Sequence, residues 1–462
     1  MDTDLKHRQL WAGAGCADIT PAQGIQLAGD IGRYRPVEEI RDPLYAKALV
    51  FQSQQKRACI LSLDVTGVMR RWSDKLRRQV AKMLDTEPEA VVVHSMQSHS
   101  APMVGNHMIS EDCTLVGPDL PWLRGGDDRY IAPFFEGVTE AVRQAKQPLS
   151  PVAIKAGRSM DGRTAYNRRF VMRDGKVKTH PITCDPEILH CEGPTDPEVG
   201  IAAFTGSSGR QIAALLHHTC HPCHGYPQRW VSPDWPRAWS NRMAELIGDE
   251  CVPLVLNGAC GNIHHHNHLD PNQEDTIEGM AHKLTETSEW ILNTLEPLGG
   301  CPLEWRSRTL QIPLRKLTVE ELSSAKRIIE EHPTPIWLDA EKTSIDWKWV
   351  YAATTLDLAA HQRKQETYAY EIQAIRIGDI AIVAWPGEPF VEAQLAVKKD
   401  SPAAYTLVAH FCSDSAGYLP TREAFELGGY ETHTSNWSKL DPSALGLVVE
   451  KTKELLHQLF RY

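Results

Sequence analysis

The chain has no run of eighteen apolar residues, so no stretch of it is long enough to cross a bilayer as an apolar helix. Its start, Met1-Asp2-Thr3-Asp4-Leu5-Lys6-His7, lacks the apolar core of a secretion signal, which predicts a cytoplasmic protein. Positive charge is in deficit: 49 Lys and Arg stand against 59 Asp and Glu, a formal net charge of −10. That balance argues against nucleic acid or an anionic membrane surface as a partner and leaves a small molecule. A disulfide framework is missing too. Eleven cysteines, an odd number in mostly apolar contexts, suit reduced thiols. Cys220-His221-Pro222-Cys223 has neither the second Cys pair of a zinc ribbon nor thioredoxin-like surroundings. Gly13-Ala14-Gly15 is no nucleotide loop, because no glycine-rich turn follows it into a helix. Repeats, low-complexity tracts and clean linkers are absent.

What is present is an ordinary globular composition, 42% hydrophobic and 23% charged over 462 residues, with ample material for a large core. Length alone allows two or three domains, or one large α/β unit with insertions. The order of elements favours the second. Leu44–Phe51 and Ala58–Leu63 read as a hairpin, and a helix N-capped by Ser73, with Leu76, Val80, Met83 and Leu84 on one face, leads to a strand over Ala90–Val93. Strand, helix and strand within about forty residues imply a parallel βαβ unit. Gly13–Thr20 reads as a small-residue segment entering a turn, and residues 105 to 128 as an insertion or lid. A helix over Arg129–Lys146 and a strand over Val152–Ala156 follow. Residues 158 to 198 read as a loop-rich segment, with Asn167-Arg168-Arg169 either a solvated surface pair or an anion- or hydroxyl-binding pair.

Further on, Gly200–Thr205 and Gln211–Leu216 form a hairpin, Trp235–Ile247 a helix and Val252–Leu256 a strand. A long helix over Asp275–Leu295, a short strand over Thr309–Ile312 that Pro313 marks as an edge, a capping box at Thr318–Glu321 and a helix over Asp346–Gln365 come next. A hairpin around Gly378-Asp379, a strand over Thr406–Phe411 and a helix over Ser443–Leu459 complete the reading. The fold class expected is α/β, a single large domain over residues 1–462 with mixed β-sheets flanked by helices.

Eight of the twenty histidines fall between Leu215 and Pro271, in two clusters at the ends of apolar runs. The first is His217-His218-Thr219-Cys220-His221-Pro222-Cys223-His224, the second His264-His265-His266-Asn267-His268. In open α/β sheets, ligands collect beyond the carboxyl ends of the strands. Five apolar strands here end in Gln97 and His99, in His221, in His264 and His265, in Glu388 and in Tyr418. Imidazoles with one carboxylate and an open position are the ligand set of a catalytic zinc site, and a phenolate oxygen can fill a further place. The expectation is that these loops converge on one metal ion, Zn2+ or another divalent metal. Trp230, Trp235 and Trp239, beside the first cluster, suggest as an alternative a sugar-stacking surface in a lyase or hydrolase of carbohydrates.

Taken together, Gly13–Thr20, Asp42-Pro43-Leu44-Tyr45-Ala46, Ser98-His99-Ser100-Ala101-Pro102, Asn167-Arg168-Arg169, Asp196–Gly200, Cys220-His221-Pro222, Ser232-Pro233-Asp234, Gly258-Ala259-Cys260-Gly261-Asn262, Pro386-Gly387-Glu388 and Gly417-Tyr418-Leu419-Pro420-Thr421 with Gly428-Gly429-Tyr430 resemble the amino-terminal catalytic domain of the neutral/alkaline ceramidases and its shorter bacterial relatives. The resemblance runs nearly end to end and includes no carboxy-terminal immunoglobulin-like domain. It implies a zinc-dependent amidase whose metal ligands include His221, Glu388 and Tyr418, with Tyr430 near the substrate and Arg168 of the Asn-Arg pair in the site. Two positions depart from the family. Its first histidine ligand is replaced by Gln97, so either His99 takes over coordination or the metal affinity is altered, with Gln97 then facing the substrate. Its nucleophilic serine is missing from Gly261-Asn262-Ile263-His264-His265, so ceramide and a membrane-facing role are not expected. A metal-activated water would then attack an amide or ester of a small polar substrate, with His264 or His265 as general acid, general base or extra ligand. The other reading of the missing serine is a binding protein that has lost its chemistry.

Overall fold

The first strand, β1 (Leu10–Asp18), is one that the sequence conceals. Its Gly-Ala-Gly composition reads as a turn because small residues are poor strand formers on propensity, yet the structure uses them for closeness. A Cβ on Gly13 would lie 2.2 Å from the carbonyl oxygen of Ala145, and one on Gly15 2.1 Å from that of Ala141. Both carbonyls belong to a helix that presses on the strand where no side chain fits. The structure, a computed structural model, describes residues 9–147, 149–248, 250–299 and 302–461; the amino-terminal Met1–His7 stretch lies outside them.

The chain continues through β2 (Tyr45–Ser53) and β3 (Lys56–Leu63), helix α1 (Arg70–Leu84), β4 (Val91–Ser95), α2 (Ile131–Lys146) and β5 (Ser150–Met160). Next come β6 (Glu198–Gly206), β7 (Gln211–His218), α3 (Trp235–Ile247), β8 (Val252–Asn257) and α4 (Ile277–Asn293). The last part holds β9 (Leu303–Pro313), α5 (Val319–Glu331), α6 (Trp347–Gln362), β10 (Thr367–Ile377), β11 (Ile380–Ala384), α7 (Val391–Asp400), β12 (Tyr405–Ala409), α8 (Arg422–Leu427) and α9 (Ala444–Leu459).

The main path of the large sheet runs β8-β7-β6-β5-β1-β2-β3-β4, and a second sheet runs β9-β10-β11-β12. Within the large sheet β5 and β1 share only the pairs Trp11–Pro151 and Ala12–Ser150. The sheet folds over at that joint. Lys47 of β2 donates to the carbonyl of Pro253 in β8 at 2.7 Å, Ser62 of β3 to that of Val255 at 3.0 Å, and Phe51 meets Phe204 edge-on at 4.9 Å.

The two halves and the second sheet therefore enclose one inner core that includes Leu49, Ile60, Val92, Phe204, Leu254, Ile375 and Ile382. Alternation sends the opposite faces to helices, as period-2 strands buried on both sides must. Leu61 and Val93 meet α1 and α2, Leu216 and Val255 meet α3 and α4, and Val383 and Val408 meet α6, α7 and α9.

Three neighbouring pairs are parallel: β3 with β4, β7 with β8, and β11 with β12. Each is a βαβ unit, crossed by α1, α3 or α7. The third includes a helix, α7, that the sequence pattern does not disclose.

Two further expectations need correction. Ser73 does not cap α1, which begins at Arg70. Its cap comes from Asp414, whose carboxylate accepts the Arg70 amide at 3.1 Å, while the Ser73 hydroxyl reaches the carbonyl of Ser413. Residues 158 to 198 are not simply loop: Arg169–Met172, Val177–Thr179 and Ile188–Cys191 form a small sheet of their own. The 105-to-128 segment is an insertion packed on α6, where Ile109, Cys113 and Leu123 meet Trp349 and Val350. No helix among the described residues is long and apolar enough to cross a membrane.

Gly15→Ala should destabilise the protein by about 3 kcal/mol, the scale of overpacking where backbone must move. Denaturant unfolding measures it, and an unchanged midpoint would show that β1 and α2 are not in the contact described.

Candidate active site at the strand ends

The three βαβ units end against one another. The Asn257 amide closing β8 donates to His94 Nε2 at 3.0 Å, and His94 Nδ1 lies 2.7 Å from the carbonyl of His410, just past β12. His410 returns its amide and its Nδ1 to the carbonyl of Asn257, at 3.0 and 2.9 Å. All three residues are buried completely. The partners fix the protons: His94 accepts at Nε2 and donates from Nδ1, so it is neutral, as burial demands by pushing it down to about 3. The Asn257 side chain spreads the tie further, donating to the carbonyls of Met96 and Cys220 and accepting the Cys220 amide.

Loops leaving these ends are bound to each other before any ligand is considered. The His99 amide donates to Pro222, that of Gly261 to Pro389, and that of Glu388 to Gly417. Gln97, His180, Asp234, Phe411 and Ser413 all hold positive φ here, a conformation that side chains adopt only where surroundings impose it.

At the centre, His221 Nε2 lies 3.1 Å from Glu388 Oε2, and His221 Nδ1 lies 3.0 Å from the carbonyl of Ile263. The carbonyl requires a proton on Nδ1, so the neutral ring shows Glu388 a lone pair. This is not an ion pair, because burial and the nearby Arg168 charge hold the imidazole well below its usual range. Two acceptors face each other at a separation that ligand bonds of about 2.0–2.2 Å to one cation span.

His99 stands beside them, its ring 5.7 Å from that of His221. Its buried Nε2 has no hydrogen-bond partner, and burial pushes the ring down to about 3. A Cβ on Gly29 would lie 2.6 Å from its Nδ1, so that glycine, at φ 90°, leaves the ring its place. Gln97 makes its contact with His410. Its amide meets His410 Nε2 at 2.9 Å, and because His410 donates from Nδ1, the contact requires the amide NH2 of Gln97 to point at the ring.

Tyr418 is paired to Glu388 through the backbone, and its hydroxyl accepts from Arg168 at 3.2 Å. Arg168 also donates to the carbonyl of Gly261 at 2.7 Å and to Glu431 at 2.8 Å. The solvated-pair reading of Arg168-Arg169 is thus overturned: both are buried, with Glu431 between them and Arg169 at 2.6 Å from it. Arg168 and Arg169 hold the Glu431 carboxyl down at about 2 despite its burial. Tyr430, one residue earlier, is 36% exposed, its ring 5.7 Å from that of Tyr418.

The second histidine cluster divides. His264 Nε2 contacts Cys223 Sγ at 3.0 Å, and its Nδ1 accepts the His266 amide. His265 gives Nδ1 to Asp275 at 2.5 Å, and its buried Nε2 is without a partner. His217 and His218 are structural, contacting the carbonyls of Val408 and Glu198. Trp235 and Trp239 are fully buried, so they offer no sugar-stacking face; Trp230 is half-buried under Arg41. Sequence reasoning missed His94, Asn257, His410, Cys223, Asp275 and Glu431. Of these His94 and Asn257 carried a signal, as polar residues ending apolar strands, and Cys223 as part of the first histidine cluster.

These features define a class: an α/β protein with a polar, histidine-rich site where three βαβ units run out. Compared with solved structures, the chain has the fold of neutral ceramidase. Neutral ceramidase from Pseudomonas aeruginosa aligns with a TM-score of 0.72 at 17% identity, covering 97% of this chain and 74% of that one. A ceramidase complexed with C2 aligns at 0.71 and 16%, covering 97% and 75%. No protein-family model and no curated protein matches the chain.

Glu431→Gln should lower stability by about 3 kcal/mol at neutral pH, because it leaves two buried guanidinium groups short of a charge. The Glu431 contribution is whole above the usual carboxylate range near 4.5 and is lost as pH falls towards about 2. Unfolding free energies of the two proteins should therefore converge over that window; a constant gap would refute the assignment.

Proposed function

We propose that this chain is a metal-dependent hydrolase of an amide or ester bond in a small, polar, soluble substrate. One observation carries the reading: the unprotonated Nε2 of His221 facing the Glu388 carboxylate at 3.1 Å, with the unpartnered His99 Nε2 nearby. The donor set suits zinc or another divalent ion, with His99, His221, Glu388 and Tyr418 as holders. When bound, such an ion supplies Lewis acidity, polarising a carbonyl and lowering the pKa of a water.

The remaining steps belong to the chain's own groups. Arg168, fixed by Glu431 and the Gly261 carbonyl, places positive charge at Tyr418 and there stabilises negative charge that develops on a carbonyl oxygen. Tyr430, the exposed ring next to Tyr418, positions the substrate. Tyr226, 37% exposed, flanks His99 at 6.2 Å and donates to Asp30, which Arg33 meets at 3.3 Å. That polar, charged rim favours a polar substrate over a lipid. The neutral ceramidases of the comparison lend the amide-hydrolase direction, and Gln97, engaged with His410, contributes here by holding its loop. The ten described cysteines are free, which accords with a reducing setting.

Glu388→Gln and His221→Ala should each lose most of the metal at this position, read by elemental analysis. Turnover should fall ~10²- to 10³-fold, the rate equivalent of several kcal/mol of Lewis-acid stabilisation. A screen of N-acyl amino acids, N-acyl amino sugars, simple esters and glycosides on the metal-loaded protein identifies the bond. Cleavage of glycosides alone would replace this reading with a carbohydrate enzyme, and no turnover of any of them would leave a binding protein.

A further inference from the structure

The hydrolase reading leaves the second histidine cluster without a task, although its side chains are more tightly held than loop residues need be. Cys223 Sγ and one nitrogen from each of His264 and His265 lie within 4.8 Å of one another. His265 is 7% exposed, with an unpartnered Nε2, and a buried acceptor without a donor is destabilising. The ring is nevertheless fixed on two sides. Asp275 holds Nδ1 in the ring plane at 2.5 Å, and His224 stacks on its face at 3.5 Å and 18°, itself tied to Asp234 at 2.7 Å. The other oxygen of Asp275 takes His266 Nδ1 at 2.8 Å, so one carboxylate braces two consecutive imidazoles.

A carboxylate on one ring nitrogen and a free lone pair on the other is the arrangement that orients metal-binding histidines. We propose that Cys223, His264 and His265 bind a second divalent transition metal of the zinc class, separate from the cation proposed between His221 and Glu388 and independent of whether that one exists. Thiolate and imidazole together select such a metal over calcium or magnesium. The neighbouring trio of His224, His265 and Asp275 is the orienting shell. In that trio His224 is held by Asp234 and His265 by Asp275, so both rings already have a carboxylate partner.

The protons balance as follows. Without metal, His264 accepts the His266 amide at Nδ1 and so carries its proton on Nε2, towards the sulfur. On binding, that proton moves to Nδ1, the His266 amide is released to water, and the Cys223 thiol gives one proton to solvent as the sulfur–metal bond forms.

Chelated full-length protein reconstituted with cobalt(II) tests the site without reference to turnover. The wild type should take up two equivalents and show thiolate-to-cobalt charge-transfer absorption in the near ultraviolet. Cys223→Ser and, separately, His265→Gln should each take up one, and Cys223→Ser should lose the band. Glu388→Gln should also take up one equivalent but keep the band. Thermal unfolding of the metal-free variants, compared with metal-free wild type, identifies any that do not fold, and the two substitutions are independent in that respect. A wild-type spectrum without the thiolate band, or a band that survives in folded Cys223→Ser, overturns the proposal. Glu388→Gln retaining both equivalents would sink the hydrolase site and leave this one standing.

Discussion

His94, Asn257 and His410 satisfy one another where three parallel strand pairs run out, and the rest of the site hangs from that closure. Each contact works only with neutral rings, since a second proton on His94 would face the Asn257 amide with nothing to accept it. Complete burial supplies the neutrality, and in a low-dielectric interior such bonds are strong when all are made and expensive when one is not. The tie brings β4, β8 and β12 to a common end. The loops carrying His99, His221, His264 and Glu388 must therefore leave from neighbouring points.

Around that closure the site is built by desolvation more than by charge. His99, His221, His264 and His265 are all driven towards the neutral form by burial, and neutral imidazoles present lone pairs. The two arginines sit in a chain of paired charges, Arg168–Glu431–Arg169–Glu192, in which Glu431 is shared by both guanidinium groups, Glu192 takes the other side of Arg169, and the Arg168 guanidinium also reaches Tyr418. The Arg168 guanidinium on one side and unprotonated imidazoles on the other accord with the hydrolase proposed above.

The two departures from the ceramidase pattern have structural counterparts. Gln97 is taken up by His410, inside the closure. His264, where the family serine would stand, meets Cys223 and leans on its neighbour His265 at 4.1 Å, so the position is joined to the second cluster.

Periodicity was enough to disclose most of the scaffold. The hairpins at Ser53–Lys56 and Gly378-Asp379, the capping box at Thr318 and the alternation of β2 and β3 are local events, decided by residues within a few positions of each other. The polar residues at the strand ends stood out for the same reason, as breaks in apolar runs. What the chain could not announce locally is which of them meet. β1 is a strand because α2 lies against its glycines, α1 is capped by a carboxylate 344 residues away, and Arg168-Arg169 is interior because Glu431 arrives from the far end of the chain. His264 and His265 are adjacent in sequence yet face different partners, a thiol from one loop and a carboxylate from another. Such assignments depend on contacts whose sequence separation carries no periodic signal, so only the folded arrangement decides them.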